Sequence, residues 1–175
     1  HEIGAVCSLA ATLPVYADSK FGILDPKSVK SKIHGGAYDG SDSAIIEVEN
    51  TTSGLIYPLE TMKEIKKIAE DHNLWVHLDG ARIFNAQVES GISVKEYAAC
   101  ADDITFCLSK GLGTPAFSLL CGDKEFIEAA KRCKKLLGGG QRQVGILAAA
   151  GIYALENNVE RLAIDHANRE KISTA

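Results

Sequence analysis

The order of apolar runs predicts an α/β fold: a mostly parallel sheet with helices on both faces and one antiparallel strand. Three observations carry that prediction. Short β-rich runs alternate with longer amphipathic ones, and strand–helix–strand alternation builds parallel sheets. Four such short runs recur along the chain. The last two are joined only by a turn holding Gly111, Gly113 and Pro115, short enough for an antiparallel return.

The first strand is expected at 44–49 (Ala-Ile-Ile-Glu-Val-Glu). A helix follows at 58–72, where Pro58 suits a first turn and Leu59, Met62, Ile65 and Ile68 recur at helical spacing. Residues 74–79 (Leu-Trp-Val-His-Leu-Asp) read as a buried strand. Helices are expected over 80–89 and 93–100, then strands at 103–108 and 116–121. Two further helices span about 123–137 and 141–155, separated by Gly138-Gly139-Gly140, and a last one runs over 157–171.

The 175 residues carry 19 Lys+Arg against 23 Asp+Glu, a net charge of −4, which argues against a general nucleic-acid binder. Hydrophobic residues at 46% supply a sizeable core and argue against disorder. No run approaches the roughly 20 apolar residues of a membrane span. The five cysteines form no CxxC pair, which points away from a disulfide framework or structural zinc and towards a reducing cytosol. The sequence starts at His1 with no charged-then-apolar leader behind it, and reads as a piece of a longer protein.

In a sheet of this kind ligands sit at the carboxyl ends of the strands. Asp79 ends one expected strand and Lys110 follows the next, so both fall on one edge. A lysine held there is partly desolvated, which turns its amine into a nucleophile for an aldehyde; the alternative is a solvated turn lysine. Asp79 closes an apolar run and needs a partner: either a protonated ring nitrogen, or the first amides of a helix that it caps. Arg82, three residues on, suits a bidentate carboxylate, or else a surface ion pair. His77 shares a strand face with Asp79, as a metal ligand or as a hydrogen-bonded core histidine. His34 stands in a Gly-rich loop, where solvation alone would explain it. A strand-end carboxylate, lysine and arginine together suit pyridoxal phosphate chemistry. No metal is required, and no GxSxG, HExxH or Walker A motif is present.

The stretch from His77 to Ala86 (His-Leu-Asp-Gly-Ala-Arg-Ile-Phe-Asn-Ala) resembles the cofactor-aspartate segment of the L-threonine aldolases. Cys107 to Pro115 (Cys-Leu-Ser-Lys-Gly-Leu-Gly-Thr-Pro) resembles their lysine segment, and Glu49-Asn50-Thr51 their motif before the aspartate strand. Gly138-Gly139-Gly140-Gln141-Arg142-Gln143, followed by Gly145-Ile146-Leu147, is similar to the family's run after the lysine. The resemblance covers essentially the whole chain. It implies the aspartate-aminotransferase fold (fold type I) and pyridoxal 5'-phosphate held by Lys110, Asp79 and Arg142, the last reaching the phosphate of a neighbouring subunit. It also implies Arg82 on the substrate carboxylate, and His34 near the substrate hydroxyl as a candidate base. The reaction implied is cleavage of L-threonine or L-allo-threonine to glycine and acetaldehyde, in a homodimer or homotetramer.

Departures from the pattern also define expectations. His1 adjoins Glu2-Ile3-Gly4 directly, whereas the family's ring-stacking histidine stands several residues ahead of such a stretch. The phosphate-binding segment and the small C-terminal domain have no counterpart, so residues 1–175 read as one partial cofactor-binding domain. Two other readings remain open at this point. One is a different pyridoxal lyase working by β-elimination. The other is a fragment that folds without binding cofactor and is inactive by itself.

Overall fold

A computed structural model describes residues 4–173. His1, Glu2 and Ile3 lie outside the described residues, and with them the expectation placed on His1. The chain opens with helix α1 (Ala5–Ala10), a two-stranded hairpin β1 (Ser19–Lys20) and β2 (Ile23–Leu24), and helix α2 (Pro26–Ser31). None of these four was expected. Yet α2 has clear start signals: Asp25 accepts the Ser28 N–H at the N-cap, and Pro26 follows at the first helical position.

The main sheet has the order β3-β4-β5-β6. Strand β3 (Ile45–Glu49) runs parallel to β4 (Trp75–Asp79), which runs parallel to β5 (Asp103–Cys107). Strand β6 (Ser118–Cys121) returns antiparallel at the edge, as the Gly/Pro turn predicts. The crossovers are α3 (Leu59–Asp71) between β3 and β4, then α4 (Ile83–Ser90) and α5 (Val94–Ala98) between β4 and β5. After β6 come α6 (Lys124–Leu136), α7 (Gly145–Asn157) and α8 (Leu162–Ser173). Helix α7 starts later than expected because residues 141–144 bend before the first helical turn.

The period-2 alternation of the strands divides the sheet into two unlike faces. On one, Val48, Val76, Leu78, Ile104 and Phe106 are buried against α3, α4 and α7 in a single core. Met62, Ile65 and Ala69 supply the matching stripe of α3. Phe84 of α4 meets Phe106 edge-on, with ring centroids 5.4 Å apart. Each fully buried residue such as Val76 or Leu78 contributes about 1.5–3 kcal/mol of transfer free energy. The other face carries Glu47, Glu49, His77 and Asp79 at half-buried or exposed positions. There α6 is represented by Phe126, whose ring stacks at a tilt on Trp75. Helices thus lie on both faces, but most of the packing is on one.

Among the described residues, no helix is long and apolar enough to cross a membrane. All five cysteines are free.

Candidate active site

The parallel register brings the carboxyl ends of three strands to one edge, pairing Glu49 with Asp79 and Asp79 with Thr105. Two bonds extend the ladder past the strand ends. The Asn50 N–H donates to the Asp79 carbonyl (2.9 Å) and the Gly80 N–H to the Thr105 carbonyl (2.7 Å). Gly80 has to be small: a Cβ there would stand 3.0 Å from both the Thr105 carbonyl and Ile104 Cδ1.

Asp79 Oδ1 accepts the Ala81 N–H at 2.9 Å. This is an aspartate turn two residues long and not the helix cap offered by the sequence; α4 begins at Ile83, with Arg82 at its N-cap. The turn delays the helix that was expected from Gly80. It also fixes the carboxylate and leaves Oδ2 without a partner among the described residues. Arg82 is exposed at the helix entry, and its guanidinium forms no ion pair among the described residues.

Lys110 follows β5 and opens a turn closed by the Gly113 N–H on the Lys110 carbonyl (2.9 Å). Gly113 takes φ of 77°, which glycine adopts without the penalty of a side chain. Phe117 ends the same loop at φ of 82°, an uncommon conformation for a bulky residue. Its carbonyl accepts both the Leu108 and the Ser109 N–H. The expected partial desolvation of Lys110 is not found. Its side chain is exposed and has no partner among the described residues.

His77 resolves to the hydrogen-bonded alternative. Its Nδ1 lies 2.6 Å from Asp103 Oδ1, and the Trp75 indole N–H donates to the other oxygen of that buried carboxylate. No group of three or more metal-binding side chains exists among the described residues.

Two expected residues are not brought to this edge. His34 is tied to Ser43, whose N–H donates to the His34 carbonyl (2.8 Å) and whose hydroxyl accepts the His34 N–H (3.0 Å). Ser43 precedes β3, so this exposed histidine sits by the amino end of that strand, opposite the edge holding Asp79. Arg142 lies in the bend ahead of α7, while the far end of that helix touches the lysine turn. The 13 residues of α7, about 20 Å at 1.5 Å per residue, lie between Arg142 and Asn158.

Sequence reasoning missed the contacts that hold the lysine turn from outside. Asn158, just past α7, donates from Nδ2 to the Leu112 carbonyl at 2.7 Å. Leu162 of α8 presses on Gly111, and Gly151 of α7 lets Leu108 approach closely. His166 of α8 bonds both Asn85 (3.2 Å) and Glu89 (2.9 Å) of α4. A carboxylate with a free oxygen and a free amine thus stand at adjacent strand ends. They fit a ligand that presents a protonated ring nitrogen and an aldehyde.

The chain belongs to the beta-eliminating lyase family, whose model matches residues 1–175. It is 45% identical over 168 residues to the low specificity L-threonine aldolase of Escherichia coli K12, covering 95% of this chain and 50% of that protein. The chain therefore spans about half the length of the curated relatives it matches. In fold it is similar to a Leishmania major threonine aldolase, with a TM-score of 0.74 at 18% identity over 92% of this chain and 51% of that one. An aspartate aminotransferase from Thermus thermophilus shares the fold at a TM-score of 0.58 and 14% identity, over 84% and 38% of the two chains.

Proposed function

We propose that the protein carrying this chain uses pyridoxal 5'-phosphate to cleave L-threonine or L-allo-threonine to glycine and acetaldehyde. The carrying observation is the pair Asp79 and Lys110: adjacent strand ends, each with an unengaged functional group. The names of the curated relatives support the choice of substrate.

When bound, the pyridoxal group supplies an electron sink for Cα–Cβ cleavage. The chain's own residues do the rest. Lys110 provides the amine that takes the aldehyde carbon. Asp79 Oδ2 accepts the N–H of a protonated ring nitrogen, while the Ala81 N–H on Oδ1 keeps the carboxylate oriented. Arg82 presents a planar fork to the substrate carboxylate. His34 and Arg142 stand away from this edge, so their contribution is to the site of a neighbouring subunit, in a homodimer or homotetramer. The free cysteines fit a reducing, cytosolic setting.

Borohydride reduction of the cofactor-loaded protein, followed by peptide mapping, tests the reading. The pyridoxyl label is expected on Lys110, and a label on any other lysine refutes the assignment. The family description also admits β-elimination. Release of acetaldehyde from threonine supports the aldolase reading; release of pyruvate from a sulfur or aromatic amino acid, with no acetaldehyde, replaces it.

A further inference from the structure

We propose that Asn158 is a positioning residue for Lys110, acting through the backbone of the turn that carries it. The proposal rests on the pyridoxal reading above. The lysine side chain has no partner among the described residues, so its backbone sets its place. The turn closes internally through Gly113 N–H to the Lys110 carbonyl (2.9 Å) and Thr114 N–H to the Leu108 carbonyl (3.2 Å). Those bonds give the turn its shape, whereas its location depends on contacts from outside.

The polar contact from outside is Asn158 Nδ2 on the Leu112 carbonyl, at 2.7 Å. Leu112 is buried, so water is a poor replacement for that donor. The apolar contact is Leu162, whose Cδ2 lies 2.7 Å from where a Cβ on Gly111 would stand. Asn158 and Leu162 flank the bend between α7 and α8, so this bend grips the turn on two sides. The grip continues to the aspartate. His166 on α8 bonds Asn85 of α4, and the Asn85 amide oxygen lies 3.5 Å from the same Gly111 position. The helix that follows Asp79 and the turn that carries Lys110 are therefore referenced to one another through α8.

A misplacement of about 1 Å at a reacting group costs on the order of a hundredfold in rate. The test uses Asn158→Leu in the whole protein. Leucine keeps the branched heavy-atom skeleton and removes the donor. At saturating cofactor, the rate of borohydride-trappable labelling at Lys110 should fall by about tenfold to a hundredfold. KM for the amino acid should stay near that of the parent while kcat falls. Hydrogen exchange should quicken at the amides of residues 110–114 and remain unchanged in β4 and β5.

Parent-like labelling overturns the proposal. So does exchange that quickens evenly through β5, β6 and α7, which would mark a general loss of stability. If Asn158→Leu does not fold, Asn158→Asp gives the same readouts with an oxygen facing the carbonyl. Failure of the pyridoxal reading is told apart in the parent protein, where Lys110 would then take no label at all.

Discussion

The two strand ends that carry Asp79 and Lys110 are built in opposite ways. At the end of β4, Asp79 is held by its immediate surroundings: the Ala81 N–H two residues on, and ladder bonds to the neighbouring strands. At the end of β5, the turn carrying Lys110 is anchored from some 50 residues away, by Asn158, Leu162 and Gly151. The orientation of the Asp79 carboxylate is encoded by a short stretch of sequence. The place of the lysine turn depends on two helices that arrive much later in the chain. A carboxylate that must hold one orientation can be fixed by an aspartate turn, whereas a long lysine on an exposed turn needs its base braced from below.

Three substitutions or conditions test that contrast, and the largest effect is expected from Asp79→Asn. The amide oxygen still accepts the Ala81 N–H, so the fold should keep its stability to within about 0.5 kcal/mol. The negative charge that the proposed function assigns to the ring nitrogen is lost, and kcat should then fall by about a hundredfold to a thousandfold at saturating cofactor. Steady-state kinetics beside a denaturant titration checks both halves. A large stability loss would mean that the aspartate is not held only locally.

Gly111→Ala strikes the other strand end. The added methyl meets Leu162 Cδ2, which has nowhere to go because Leu162 is buried. A destabilisation of about 1–3 kcal/mol is expected. Pairing it with Leu162→Ala should recover part of the loss, which a double-mutant cycle reads directly.

The smallest effect comes with alkali. Burial pushes the Tyr57 phenol up to about 12 from its ordinary 10.0, against the opposing influence of the Leu24 N–H that it accepts. A pKa raised by folding means that the neutral form is the one the fold favours. Its contribution is complete below pH 10 and is lost as pH climbs towards 12. The Cys100 thiol is also raised by burial and adds to the loss above its ordinary 9.0. Tyr57 shares the loop after β3 with Asn50, whose Oδ1 accepts the Tyr57 N–H. Hydrogen exchange should therefore rise first around residues 50–57 and leave the lysine turn protected. Simultaneous loosening of both would contradict their separate anchoring.

The same contrast explains what could be read from the sequence. Strands β3, β4 and β5 announced themselves as apolar runs because each buries at least one face. The placing of Asp79 and Lys110 on one sheet edge was legible because each ends or follows an apolar run that forms a parallel strand. The capping role considered for Asp79 failed on a two-residue detail, since the carboxylate could satisfy Ala81 sooner than a helix. His34 is attached to the site only by the resemblance of the Ile33-His34 pair, and the Ser43 bonds place it at the other end of β3. Asn158 could not have been found. Nothing around Glu156-Asn157-Asn158 distinguishes a helix-ending asparagine from one that reaches across 46 residues to a carbonyl. The hairpin at Ser19–Leu24 was missed although Phe21-Gly22 forms its tip, because each strand is only two residues long and shows no alternation.

Strand β6 carries a consequence for self-recognition. It pairs with β5 on one side, and all four of its residues are exposed, Leu119 and Leu120 at 40% and 38% among them. Its outer row of amides and carbonyls is a template on which another strand can add. Among the described residues this outer row is unpaired, and four residues offer an added strand few bonds. Lengthening β6 by apolar residues would offer more and favour sheet-to-sheet aggregation.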